Sequence, residues 1–468
     1  MSKNNIVGFE QPAEFYYNTA LKYLEDYNYI DALPYLRKAV EKDPENTEYS
    51  TALAEALTEI GRFDESNSII LDLLNRGSDD SELFFGLGCN YMGLGDLERA
   101  GDCFEQYTAA GEEGEFYYDA VEFLNFIEDY KDSGDMPGLF DLDDDSFGDV
   151  SADADKEAIA ESVQQAMEDS GVSERDLLFM KNNMAMALYY EGRYDEAVAV
   201  AEEMLKREPD NVFALCDLIL FSAEKQDLLR MTELLAKLEK VHTEDPEAIF
   251  KKAVTYCEIK LHERALKEFN ECLKFKPFDT GIIFMTGIAA ANTGDYKYAV
   301  DCFAKCLKID PDDYAAAYYL AEVRKITDGR GTAQEYEYTR KLPDDEADRR
   351  LNYINDCFAG DRDEVLKLWR EDARFRDYLI WGLYSCDNEY RLAVASVIAD
   401  FAQDGGEKVL RKYILDPTQP DEVKDQIFIM LKKAGAAEPY RAYLRGGVVE
   451  ISVSEAPAAE DGEDGRDE

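Results

Sequence analysis

The stretch Ala13–Asn46, AEFYYNTALKYLEDYNYIDALPYLRKAVEKDPEN, carries apolar and small residues at helical spacing twice over: Tyr16, Ala20 and Tyr23, then Ala32, Leu36 and Ala39. Intervals of three and four gather each set on one helix face. The break at Asn28–Asp31 supplies a turn, and Pro44, with no N–H and a fixed φ, stops the second helix. Small side chains at Ala20 and Ala32 let the two helices cross closely. This helical hairpin recurs. Ala32, Ser66 and Ala100 stand 34 residues apart, and Ala197, Met231, Ala265 and Ala299 keep the same interval. Such a period marks stacked repeats, each of which buries its apolar face only against its neighbours.

Repeats from Ala13, Thr47 and Ser81 follow without a gap, the second offering Ala54, Gly61 and Ile70, the third Gly88, Tyr91, Gly95, Ala100 and Phe104. A second block starts at Leu178, Val212, Pro246 and Thr280. It supplies Ala185, Gly192, Ala197 and Pro209, then Ala253, Tyr256, Ala265, Phe269 and Pro277, then Gly287, Gly294, Ala299, Phe303 and Pro311. The pattern resembles the tetratricopeptide repeat over about 13–328. The repeat from Val212 departs most, with Ile219, Met231 and Thr243 where small residues and a proline belong; Tyr314–Lys325 reads as one more first helix. The resemblance implies an all-α fold, a right-handed α-solenoid of helix pairs.

The expected organisation is a disordered N-terminus over 1–12, N-terminal repeats over 13–131 and an insertion over 132–155. A second block with a capping helix follows over 156–328, then a helical module over 334–450 and an acidic disordered tail over 451–468. The insertion holds nine acids and no base, which favours disorder. Glu115–Tyr130 and Lys156–Asp169 read as helices on either side of it, the second being half of a split repeat. Lys408–Gly435 resembles a HEAT-type helix pair, with a candidate partner at Tyr378–Phe401.

With 51 basic against 101 acidic residues and a formal charge of -50, the surface repels nucleic acid and anionic membranes. No apolar stretch approaches the ~18–20 residues of a membrane span, and Met1–Gln11 holds no apolar run of a secretory signal. The nine cysteines are odd in number and fall mostly within helices, which suggests reduced thiols and a cytoplasmic protein.

Residues for chemistry are sparse. His242 and His262 have no His or Cys at ligand spacing, and Cys302 and Cys306, one helical turn apart, occupy packing positions. Asp141, Asp143 and Asp145 open like a calcium loop, but Ser146 and Ala152 stand where a glycine and a bidentate glutamate are needed. No phosphate-cradling glycine loop occurs. We therefore expect a non-enzyme without catalytic, cofactor or metal residues.

In the family the first helix of each repeat lines an inner face. The fifth residues of the repeats are Tyr17, Thr51, Phe85, Asn182, Cys216, Phe250, Phe284 and Tyr318, and second positions add Phe179 and Phe213. The candidate peptide groove is thus Tyr17, Phe85, Phe179, Phe213, Phe250, Phe284 and Tyr318; these rings either meet a client or pad helix junctions. Glu14, Glu48, Glu82, Glu25 and Glu59 make the N-terminal half acidic, suited to a basic or apolar peptide. Asn182, Met186, Asp217, Glu247 and Lys251 stand where carboxylate-binding relatives place cations, and the acids among them argue against that mode. Leu139, Phe140, Leu142 and Phe147, interleaved with aspartates, either dock on Phe250, Phe284 and Tyr318 or form a solvated spacer. The function this implies is a cytoplasmic scaffold or adaptor for protein–protein interaction; the alternative is a peptide-holding chaperone for a secretion or assembly subunit.

Overall fold

Every turn inside a repeat rests on a residue with positive φ, always the fifteenth. Four are glycines, Gly61, Gly95, Gly192 and Gly294, and three are Tyr27, Gln226 and Lys260. The next residue's N–H reaches back over the turn, as Arg62 does to the Leu57 carbonyl (2.8 Å) and Asp295 to that of Ala290 (2.9 Å). This bond closes the first helix and aims the second antiparallel to it. An Asn or Asp side chain then caps many of the following helices: Asn28 accepts from the Asp31 N–H, and Asp295 from that of Tyr298.

The structure, a computed structural model, describes residues 11–133 and 184–453, apart from 79, 112–113, 115, 359–361, 417 and 445–446. It divides into two compact units, Met1–Arg340 and Lys341–Glu468. The first unit opens with α1 (Ala13–Glu25), α2 (Tyr29–Lys42), α3 (Thr47–Glu59), α4 (Phe63–Asn75), α5 (Glu82–Gly93), α6 (Leu97–Ala109) and α7 (Tyr117–Ser133). It resumes with α8 (184–190), α9 (Tyr194–Arg207), α10 (Val212–Glu224), α11 (Leu228–Leu238), α12 (Pro246–Glu258), α13 (His262–Phe275), α14 (Thr280–Asn292), α15 (Tyr296–Ile309) and α16 (Tyr314–Thr327). The described part is thus the expected solenoid of paired helices.

The small residues sit at the crossings. Ala20, Ala32, Ala100, Ala197, Ala265 and Ala299 are wholly buried. A Cβ at Gly88 would lie 2.5 Å from the Phe104 ring and one at Gly287 2.9 Å from Phe303, so only glycine fits beneath those phenylalanines. Ser66, which replaces alanine in the second repeat, has its hydroxyl satisfied by the Ala54 carbonyl (2.9 Å) and Asn90 (3.0 Å). Ile219 is likewise buried in the departing repeat, and Met231 is half-buried.

The solenoid also returns on itself. Arg37 of α2 donates to the carbonyls of Lys308 and Ile309 at the end of α15, both at 2.8 Å, and to Glu65 on α4 at 3.1 Å. Lys308 pairs with Asp31, and Arg62 lies 3.9 Å from Asp310. A continuous apolar cluster runs from Leu33 and Leu36 to Cys306, Ile309 and Leu320.

The second unit contains α17 (Asp344–Phe358), α18 (Arg362–Glu371), α19 (Ala373–Ser385), α20 (Asn388–Asp400), α21 (Gly406–Leu415) and α22 (Asp421–Lys433). It ends in a hairpin of β1 (Tyr440–Leu444) and β2 (Gly447–Ile451), antiparallel with Tyr440 opposite Ile451. The expectation of helix throughout 334–450 is corrected at both ends. Residues 332–337 form neither helix nor strand, and 440–451 pair as strands because Tyr440 and Ala442 alternate inward while Val448, Val449 and Ile451 favour extended backbone. Lys424, fully buried on α22, donates to the Tyr443 carbonyl (2.8 Å) and so ties the hairpin to the helix.

Candidate peptide-binding surfaces

The first helices of the N-terminal block carry carboxylates between aromatic rings. Tyr17 on α1 stacks 4.7 Å from Tyr49 and donates to Glu48 (3.2 Å). Phe85 on α5 is packed on Phe116 at 4.6 Å and flanked by Phe104, Tyr107 and Phe123, so most of its surface is spent on neighbouring helices. Glu55 on α3 reaches solvent, yet the surrounding wall and then Asp80, Glu59 and Glu82 push its pKa above the usual carboxylate value. Like charges gathered around an accessible acid deepen the negative potential there.

In the second block Phe213 and Tyr318 are half-buried and Phe250 is 42% exposed, its ring edge toward Phe269. Phe284 must be corrected as a groove residue: it has no exposed surface. Phe303 and Tyr319 close on it edge-on, and the Arg340 guanidinium covers it at 5.4 Å. Phe179 and Asn182, the calcium-like aspartates Asp141, Asp143 and Asp145, and Leu139, Phe140, Leu142 and Phe147 lie outside the described residues. The structure therefore brings Phe250 and Tyr318 to a half-open face, and puts Phe284 beneath a lid.

That lid is the segment after α16. Asn292, the last residue of α14, holds the Tyr336 backbone with both halves of its amide: Nδ2 donates to the carbonyl at 2.8 Å and Oδ1 accepts from the N–H at 2.7 Å. The Tyr338 hydroxyl meets His262 Nδ1 at 3.0 Å, Glu335 pairs with Lys260 at 2.9 Å, and Arg340 pairs with Asp313 and reaches Thr280 at 3.4 Å. Sequence reasoning missed these residues; the signal was the alternation Tyr336, Tyr338, Arg340 just after the last repeat helix.

Of the clamp positions, Lys251 is bound by buried Asp217 at 2.7 Å and is not free for a carboxylate. Burial pushes the thiols of Cys216 and Cys302 up to about 12, which keeps them protonated and unreactive. Among the described residues no group of three His, Cys, Asp or Glu side chains gathers to hold a metal, and no helix is long and apolar enough to cross a membrane.

Tetratricopeptide-repeat models match residues 23–87, and again 81–110, 180–211 and 282–313, the same stretches that supply the paired helices. In these stretches the chain resembles the tetratricopeptide repeat. Along most of its length this repeat protein is similar to the TPR repeat-containing protein YvcD of Bacillus subtilis (strain 168), with 23% identity over 449 residues, 93% of this chain and 87% of that one. Among solved structures it is similar to the TPR2AB-domain:pHSP90 complex of yeast Sti1, at 15% identity and TM-score 0.23, over 68% of this chain and 96% of that one. MamA (AMB-1) matches at 20% identity and TM-score 0.27, over 32% of this chain and 89% of that one.

Proposed function

We propose that this tetratricopeptide-repeat protein is a scaffold that binds a basic peptide segment of a client protein on the first-helix face of α1, α3 and α5, in a reducing, cytoplasmic setting. The observation that carries the reading is the acidic cluster at Glu55, which is open to solvent and raised in pKa by its surroundings and by Asp80, Glu59 and Glu82. A Lys or Arg side chain placed there relieves like-charge repulsion already present in the free protein, so electrostatic energy is gained on binding. Tyr17, half-buried against Tyr49, offers ring surface for the stem of such a side chain.

The test is fluorescence polarisation with a library of short peptides of varied charge. Basic peptides should bind and weaken steeply as salt rises. The Glu55→Lys/Glu59→Lys variant should lose them while keeping the wild-type melting temperature. Equal affinity of that variant would place the client elsewhere. Suppression of aggregation of several unrelated clients, with no peptide preference, would favour the holding-chaperone reading.

A further inference from the structure

We propose that residues 335–340 are a tethered, displaceable ligand of the first-helix face of α12, α14 and α16, and that this face takes peptides with two aromatics two residues apart followed by arginine. This goes beyond the client reading above, since it concerns the other block and needs no client for its test.

The segment meets the face as a peptide would. Tyr336 sits at Asn292, the last residue of α14, and Arg340 at Thr280, the first. The segment therefore runs along a helix of 13 residues, about 20 Å long; the Arg340 side chain makes the last part of the reach to Thr280, and the backbone bends once, where the Thr339 N–H meets the Glu337 carbonyl at 2.9 Å. Tyr336 is buried edge-on to Tyr319, Tyr338 lies over the His262 ring, and Arg340 covers Phe284, while Glu337 between them is exposed. The recognition also divides as in peptide capture. Asn292 grips backbone N–H and carbonyl together, independently of the side chain they carry. Specificity comes from the Tyr338 hydroxyl on His262 and from the Arg340 charge on Asp313, which is itself buried.

Displaceability follows from what the segment lacks. It is held by the Asn292 amide, by the ion pairs of Glu335 and Arg340, by side-chain hydrogen bonds of Tyr338 and Arg340 and by burial of Tyr336, with no helix or sheet ladder. Residues 331–335 are exposed throughout, and Gly329 with φ of 70° ends α16 before them. Local opening of such a strap costs far less than opening a repeat. A tethered occupant competes at high effective concentration, so the closed face rejects weak free ligands until the strap is weakened.

The experiment uses the full-length protein and a fluorescein-labelled peptide of sequence Gln334–Lys341. Wild type should bind it at least tenfold more weakly than the Tyr336→Ala/Tyr338→Ala variant, and adding Asn292→Ala to that variant should abolish binding. Equal or absent binding by wild type and a variant that retains its helical circular dichroism overturns the proposal. Hydrogen exchange on the wild type needs no variant at all. Amides of 335–340 should exchange at least a hundredfold faster than those of α14; exchange as slow as α14 would mark the strap as fixed core and overturn the proposal.

Discussion

Lys251 sets its ammonium 2.7 Å from the carboxylate of Asp217, which is fully buried on α10. Burial pushes the Asp217 pKa up, and the Lys251 charge pulls it partly back. Removing the lysine strands a buried charge. We expect Lys251→Met to lose about 3 kcal/mol of stability, and Asp217→Asn/Lys251→Met to recover most of it. The sign with pH is fixed. A carboxyl whose folded pKa lies above its unfolded value contributes stability that is fully present below the unfolded value and lost as pH rises through the folded one. The Lys251→Met deficit should thus be largest at pH 7, shrink as pH falls through the raised folded value, and be smallest below about pH 4. Urea unfolding of the three proteins across that range decides it.

Gln226 occupies the same turn position as Gly61 and Gly294 but carries a side chain at φ of 57°. An L residue in the left-handed region costs about 1 kcal/mol over glycine. Gln226 is exposed and its N–H already completes the turn to the Ala223 carbonyl at 3.0 Å. Gln226→Gly should therefore stabilise the protein by about 0.5–1 kcal/mol. An unchanged or lowered denaturant midpoint would show that the side chain is held by something else.

Arg37 joins the first repeat to the last. Arg37→Ala forfeits two carbonyl bonds and the Glu65 pair, a loss of about 1–3 kcal/mol at that contact. Amide exchange should accelerate roughly tenfold in α2 and the end of α15 together, with α12 unchanged. The hydrogen bond from Lys308 holds the Asp31 carboxyl below the usual range. A depressed pKa gives stability that is present above the unfolded value and lost as pH falls through the folded one. Acidification should loosen the same two helices, and Asp31→Asn should remove that pH response.

The repeat period was plain in the sequence because small residues are forced wherever two helices cross. Gly88 and Gly287 are under phenylalanine rings that admit nothing larger. The inner face was less legible. Spacing places Phe250 and Phe284 equivalently, and only the fold shows that one is open while Arg340 and Tyr319 seal the other. The strap escaped because an irregular segment leaves only a two-residue alternation, and Tyr336, Tyr338 and Arg340 are too few to announce it. The hairpin at Tyr440–Ile451 escaped for a related reason: its strands of five residues are short. Arg37 and Lys308, 271 residues apart, carry no local mark of their pairing.

An ordinary repeat array frays from its two ends, because a terminal hairpin has a neighbour on one side alone. Here the opening hairpin leans on the final one through Arg37 and Asp31, so the array resembles a bracelet fastened by a clasp. Melting cannot begin quietly at either extremity: a nick or truncation at one margin is felt at once by the other.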